Sequence, residues 1–105
     1  MLLDDIIEAA AKIASYTAGM TREDFISSGM AADAVVRNLE IIGEAANRLP
    51  AEFTDKHSGI EWRKIIGLRH RIVHDYFGVD LDIIWSIIRR DLPDFVSKIV
   101  TLENY

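Results

Sequence analysis

Between Leu81 and Leu102 apolar residues fall at positions 81, 84, 88, 92, 95, 99 and 102. Steps of three and four return to one side of an α-helix, so this stretch predicts a long helix with a single buried face. The same rhythm governs most of the chain. Leu3, Ile6, Ile7, Ala10, Ile13 and Ala14 form a first amphipathic helix, and Val35, Leu39, Ile42, Ala46 and Leu49 step 4-3-4-3, like a bundle seam. Strand-like alternation, internal repeats and low-complexity tracts are absent from the sequence. The expectation is an all-α, mostly antiparallel helical bundle of four to five helices, one domain over residues 1–105.

Local signals place the breaks. The first helix should fade near Gly19, and Thr21 resembles an N-cap with Glu23 and Asp24 in the first turn. Gly29 is expected to end that short helix, and Pro50 to stop the next. Gly43 lies beside the bundle seam, where a glycine is favoured if another backbone comes close. Glu44 and Arg48 have the spacing of a supporting surface pair. "FTDKHSG" reads as a turn region, followed by a helix from about Ile60 to the mid-seventies. Gly78 should end it and Asp80 cap its successor. The apolar phase survives Pro93, which predicts two nearly collinear helices or a kink, with Asp91 as a cap. Ile83, Ile84, Trp85, Ile87 and Ile88 cover more than one helix face, which suggests burial by a second chain.

Composition removes several function classes. The chain has no cysteine, so disulfides and thiolate metal sites are excluded and a reducing, cytoplasmic setting is compatible. "MLLDDIIEAAAK" lacks the basic start of a signal peptide, and no run of about eighteen apolar residues predicts a membrane span. A net charge of −5 argues against a general nucleic-acid coat. Residues 62–74, however, hold Arg63, Lys64, Arg69 and Arg71 without an acid. Charges act over about 8–10 Å in physiological salt, so such a patch can still attract a phosphate.

The same stretch carries the chemistry. "GLRHRIVHDYFGVD" (67–80) sets Arg69, His70, Arg71, His74 and Tyr76 close together in a chain with three histidines. On an ideal helix Arg69 falls within the apolar stripe of Trp62, Ile65, Ile66, Leu68, Ile72 and Val73. A guanidinium there needs a carboxylate, a wet crevice or a bound anion, unless it snorkels from the stripe edge. His74 alone would suit a surface or a helix cap, and Tyr76 could close the bundle end. His70 and His74 have zinc-binding spacing, but "HRIVH" lacks a glutamate and no third ligand is evident, so no metal is expected. Arg69 and His74 diverge by about 140° on a straight helix. Either the helix distorts near His74, the side chains converge at a groove, or two copies contribute.

The spacing Arg69-x4-His74-x-Tyr76 resembles the R-x4-H-x-Y motif of the HepT-like branch of the HEPN superfamily. "RNLEIIGEAANRLP" (37–50), "WRKIIGLRHRIVHDYFGVD" (62–80) and "IIWSIIRRDLP" (83–93) are similar to that family in order and spacing. His70 departs from it, standing where many members carry a polar residue such as Asn. The resemblance implies a HEPN-like bundle that forms a homodimer, with both motifs lining a cleft. It implies a metal-independent endoribonuclease without cofactor, acting as the toxin of a toxin–antitoxin pair. The antitoxin would be a minimal nucleotidyltransferase, neutralising by binding or by AMP transfer to Tyr76. Arg69 and His74 would be catalytic, with His70, Arg71 and Tyr76 supporting or contacting RNA. The alternatives are a non-catalytic helical dimer that binds RNA, nucleotide or a nucleotidyltransferase, and a purely structural dimer.

Overall fold

A computed structural model describes residues 2–68, 73–75 and 78–103. Its core is built on two long helices, α1 (Leu2–Tyr16) and α3 (Gly29–Asn47), packed along each other. Four of the five seam positions do what the spacing predicts: Val35, Leu39, Ile42 and Ala46 are buried, with Ile6, Ala10 and Ile13 of α1, whereas Leu49 lies past the end of α3 and is half-buried, and Ala14 is exposed. Between them lies α2 (Arg22–Ser27), opened by the Thr21–Asp24 capping box. Gly19 supports the turn after α1 with φ 76°, a left-handed backbone in which a Cβ would be strained. Ser28 both ends α2 and caps α3 by accepting the Ala31 N–H at 3.1 Å. Gly29, expected as a terminator, is therefore the first residue of α3, because the hydroxyl supplies the break.

The "FTDKHSG" region is not only turn. Pro50 precedes a short helix, α4 (Ala51–Lys56), and proline suits a helix start because the N–H it lacks would be unpaired there. Phe53 of α4 stands 6.2 Å from the Trp62 ring, which meets Phe95 edge-on at 5.8 Å. The Trp62 indole N–H donates to the His57 carbonyl at 3.0 Å, fixing the entry to α5 (Trp62–Ile66). α5 crosses α3 at Gly43, where an added Cβ would lie 3.4 Å from the Ile65 carbonyl oxygen. The close approach expected of Gly43 is thus an α5 backbone.

The helix expected to reach the mid-seventies does not. After α5, Val73–Asp75 (β1) is extended and pairs antiparallel with Gly78–Val79 (β2), with a bulge between Val73 and Asp75. Val73 pairs with Val79 at one end of the ladder and Asp75 with Gly78 at the other. Among the described residues every other element is helical, so the hairpin interrupts an all-α bundle.

The final rod starts at α6 (Leu81–Ser86), continues through a π-helical turn, Ile87–Asp91, and ends as α7 (Leu92–Glu103). Asp80 caps it, accepting from the Asp82 and Ile83 N–H groups at 3.0 and 3.2 Å. Pro93 neither breaks the rod nor needs a new cap, and Asp91 lies inside the π turn rather than at a helix start. In a strict α-helix the proline ring would press on the carbonyl four residues back. The wider turn relieves that pressure, with the Leu92 N–H reaching back to the Ile87 carbonyl. Of the residues that suggested burial by a second chain, Ile84, Ile87 and Ile88 are buried within the single chain and Ile83 and Trp85 are half-buried against its core.

Candidate functional site

The segment carrying the motif is tied down at both ends. On the approach, Leu68 is buried in the core and the Gly67 N–H donates to the Arg63 carbonyl at 2.9 Å. On the exit, Asp80 caps α6, and the Arg22 guanidinium pairs with the Asp82 carboxylate, joining α2 to the first turn of the rod. That neighbour raises the pKa of Arg22, so the guanidinium stays charged throughout the working pH range. Phe25 of α2 lies 5.4 Å from the Trp85 ring, and the Arg89 guanidinium stacks 4.4 Å from the same ring. Arg89 also donates to the Met20 carbonyl at 3.0 Å. Arg22, Phe25 and the Met20 carbonyl therefore hold α6 and the π turn from one side. Arg22–Asp82 joins residues far apart in the chain, a link that helical periodicity does not signal. Trp85 and Arg89, by contrast, are one turn apart, a spacing from which their stacking could be read.

Of the candidate residues, His74 lies in β1. Arg69, His70, Arg71 and Tyr76 lie outside the described residues. The extended backbone at Val73–Asp75 removes the premise of the 140° divergence, since Arg69 and His74 are not on one continuous ideal helix. Upstream, α5 exposes Arg63 and Lys64, and neither makes an ion pair among the described residues. They border an open groove of about 650 Å³ beside α4, into which Thr54 and Ser58 also face, with Asp55 and Glu61 as acidic neighbours. Among the described residues no group of three or more histidines or acids could hold a metal ion, and no helix is long and apolar enough to cross a membrane.

A helical bundle interrupted by a hairpin bearing the histidine of R-x4-H-x-Y is the frame in which the comparisons with known proteins fall. A family described as "Ribonuclease HepT-like" matches residues 6–102. The chain belongs to the HepT-like family. It is 38% identical over 102 residues to a protein of Thermococcus cleftensis named "Probable ribonuclease HepT", covering 97% of this chain and 93% of that one. A "Putative RNase" of Caldanaerobacter subterraneus subsp. tengcongensis is 38% identical over 97 residues, covering 92% of this chain and 87% of its own. A third relative, from Methanocaldococcus jannaschii, is named "Gamma-glutamylcyclotransferase and putative RNase". It is 38% identical over 100 residues, and the chain spans 45% of its length. No solved structure matches. The matched residues 6–102 take in the motif segment and the flanking "RNLEIIGEAANRLP" and "IIWSIIRRDLP" segments.

Proposed function

We propose that this HepT-like protein is a metal-independent endoribonuclease whose active site is completed across a homodimer. The observation that carries the proposal is the family match over residues 6–102, with Arg69, His74 and Tyr76 standing at the motif positions. In the reaction, the ribose 2′-oxygen next to the scissile linkage attacks phosphorus. The P–O5′ bond breaks, leaving a 2′,3′-cyclic phosphate and a 5′-hydroxyl. One base takes the 2′-hydroxyl proton and one acid protonates the departing 5′-oxygen. A histidine titrating near 6.5 fills either role and contributes typically about 10²–10⁴-fold. A single His74 cannot do both in one turnover, so its copy on the partner, or His70, supplies the other. Arg69 grips two phosphate oxygens with its planar fork as charge builds on the phosphorane. Arg71 and Tyr76 contact the flanking phosphate or base.

As a toxin, the enzyme would be neutralised by a minimal nucleotidyltransferase. The Tyr76 hydroxyl would attack the α-phosphorus of ATP, pyrophosphate would leave, and bulk and negative charge would then occupy the RNA path. Cleavage of purified RNA should persist in EDTA and leave 2′,3′-cyclic ends, and Arg69→Ala and His74→Ala should each lower the rate at least about 10²-fold. Undiminished cleavage in both variants rejects the mechanism.

A further inference from the structure

Two cations of α5 stand side by side with nothing to neutralise them. Arg63 and Lys64 are exposed, and neither makes an ion pair among the described residues. The sequence supplies a partner: Glu61 and Lys64 have the i,i+3 spacing of a helix pair, yet they do not pair. Pairs one turn apart do form on other helices, Lys12 with Glu8 at 3.7 Å and Lys98 with Asp94 at 3.4 Å. On α3 the expected Glu44–Arg48 pair is also absent, but there the cations are interleaved with acids along the helix. From Trp62 to His74 no acid intervenes, and Arg69 and Arg71 of the motif extend the same run.

Arg63 and Lys64 line the open groove of about 650 Å³ between α5 and α4, and Ile66 carries that lining to within three residues of Arg69. The acids of the lining are Asp55 on α4 and Glu61 ahead of α5. Trp62 also lines it, but this side chain is only 7% exposed. Its ring is held against Phe53 and Phe95, and its N–H is given to the His57 carbonyl. Among the described residues no aromatic face in the lining is therefore open for a base to stack on. What the groove offers a polynucleotide is positive charge on the α5 side and the hydroxyls of Thr54 and Ser58.

We infer that α5 and this groove form a subsite for single-stranded RNA beyond the scissile linkage, holding the strand by phosphates on Arg63 and Lys64 without reading its bases. The subsite rests on the ribonuclease reading and deepens it: the acid-free run becomes one track, with the scissile linkage at its motif end. Cations that follow a backbone bind any sequence, because every nucleotide brings the same phosphate. A single strand can bend into a cleft between two short helices, whereas an A-form duplex is recognised by shape across its broad minor groove. Asp55 repels phosphate and so keeps the strand on the α5 side.

Fluorescence anisotropy on the full chain tests this with a labelled single-stranded 2′-O-methyl RNA, which lacks the attacking hydroxyl and so reports binding without cleavage. Between about 50 and 200 mM salt, Arg63→Gln and Lys64→Gln should each flatten the plot of log affinity against log salt by about 0.7, and the double variant by about 1.4. The double variant should bind about tenfold more weakly, equally for adenine-rich and cytosine-rich strands. Lys12→Gln removes the same charge from α1, outside this groove, and should leave the slope unchanged; Asp55→Asn should tighten binding. No binding by wild type, an unchanged slope in the double variant, an equal loss in Lys12→Gln, a loss confined to one base composition, or no gain in Asp55→Asn would overturn the subsite. With cleavable RNA the double variant should raise KM, and a loss confined to kcat would overturn it too. If wild type binds but never cleaves, the ribonuclease reading fails and the subsite stands. If cleavage needs Arg69 and His74 while binding ignores Arg63 and Lys64, the subsite alone fails.

Discussion

The rod from Leu81 to Glu103 and the segment that begins with α5 start from the same sequence signal and end differently. Both carry unbroken helical apolar spacing, from Leu81 to Leu102 and from Trp62 to Val73. The rod remains helical even through a proline, whereas α5 stops at Ile66 and the chain is extended by Val73. Periodicity therefore reports which side faces the core, not how far the helix persists. Persistence depends on ends and packing. The rod has an Asp80 cap, a buried face that runs its length and a π turn ahead of Pro93. α5 begins at Glu61 without a side-chain cap and ends at Gly67, where an added Cβ would press to 3.1 Å from the Arg63 carbonyl.

If the rod owes its continuity to packing, removing a core side chain from it should have the largest effect of any single change. Ile87 is 0% exposed and sits where the π turn begins. Ile87→Ala should cost about 2–5 kcal/mol in urea unfolding, the range for emptying a buried aliphatic position. A loss under about 1 kcal/mol would mean that the π turn lets the rod collapse into the cavity, and that its continuity has another source.

The α5 side of the comparison depends on a glycine. A Cβ at Gly43 meets the Ile65 carbonyl oxygen at 3.4 Å, an ordinary contact, so Gly43→Ala should be neutral or stabilising by up to about 1 kcal/mol through helix propensity. Gly43→Leu has no such room and should cost about 1–3 kcal/mol by pushing α5 from α3. Amide exchange should then rise in α5 while the rod stays protected. Equal loosening of both regions would show that they are not separable.

These elements also mark what the sequence could carry. Each buried position of the α3 seam, the Thr21 and Asp80 caps and the close approach at Gly43 follow from local spacing and local hydrogen bonding, and all are legible in the sequence. The end of α5, the helix after Pro50 and the π turn are not, because each is decided by tertiary packing. Trp62 between Phe53 and Phe95 is one such decision, and the wide turn ahead of Pro93 another. The candidate site divides the same way. The family was readable from residue types and spacing, and the match over residues 6–102 bears that membership out, while the roles of Arg69, His74 and Tyr76 belong to the proposal. The Arg22–Asp82 tie was not readable, since it joins two helices distant in the chain.

The smallest effect separates the two helix starts directly. The Asp80 carboxylate accepts two backbone N–H groups, whereas Glu61 caps nothing with its side chain. Asp80→Ala should therefore lower stability by about 1 kcal/mol, and Glu61→Ala should change it by less than about 0.5 kcal/mol. Because Asp80 immediately follows the hairpin that holds His74, its loss should also raise amide exchange at Val79 and Leu81, and Glu61→Ala should leave both unchanged. If the two alanine variants behaved alike, the cap would not be what distinguishes the persistent helix from the short one. The contrast would then rest on core packing alone, which the Ile87 variant measures.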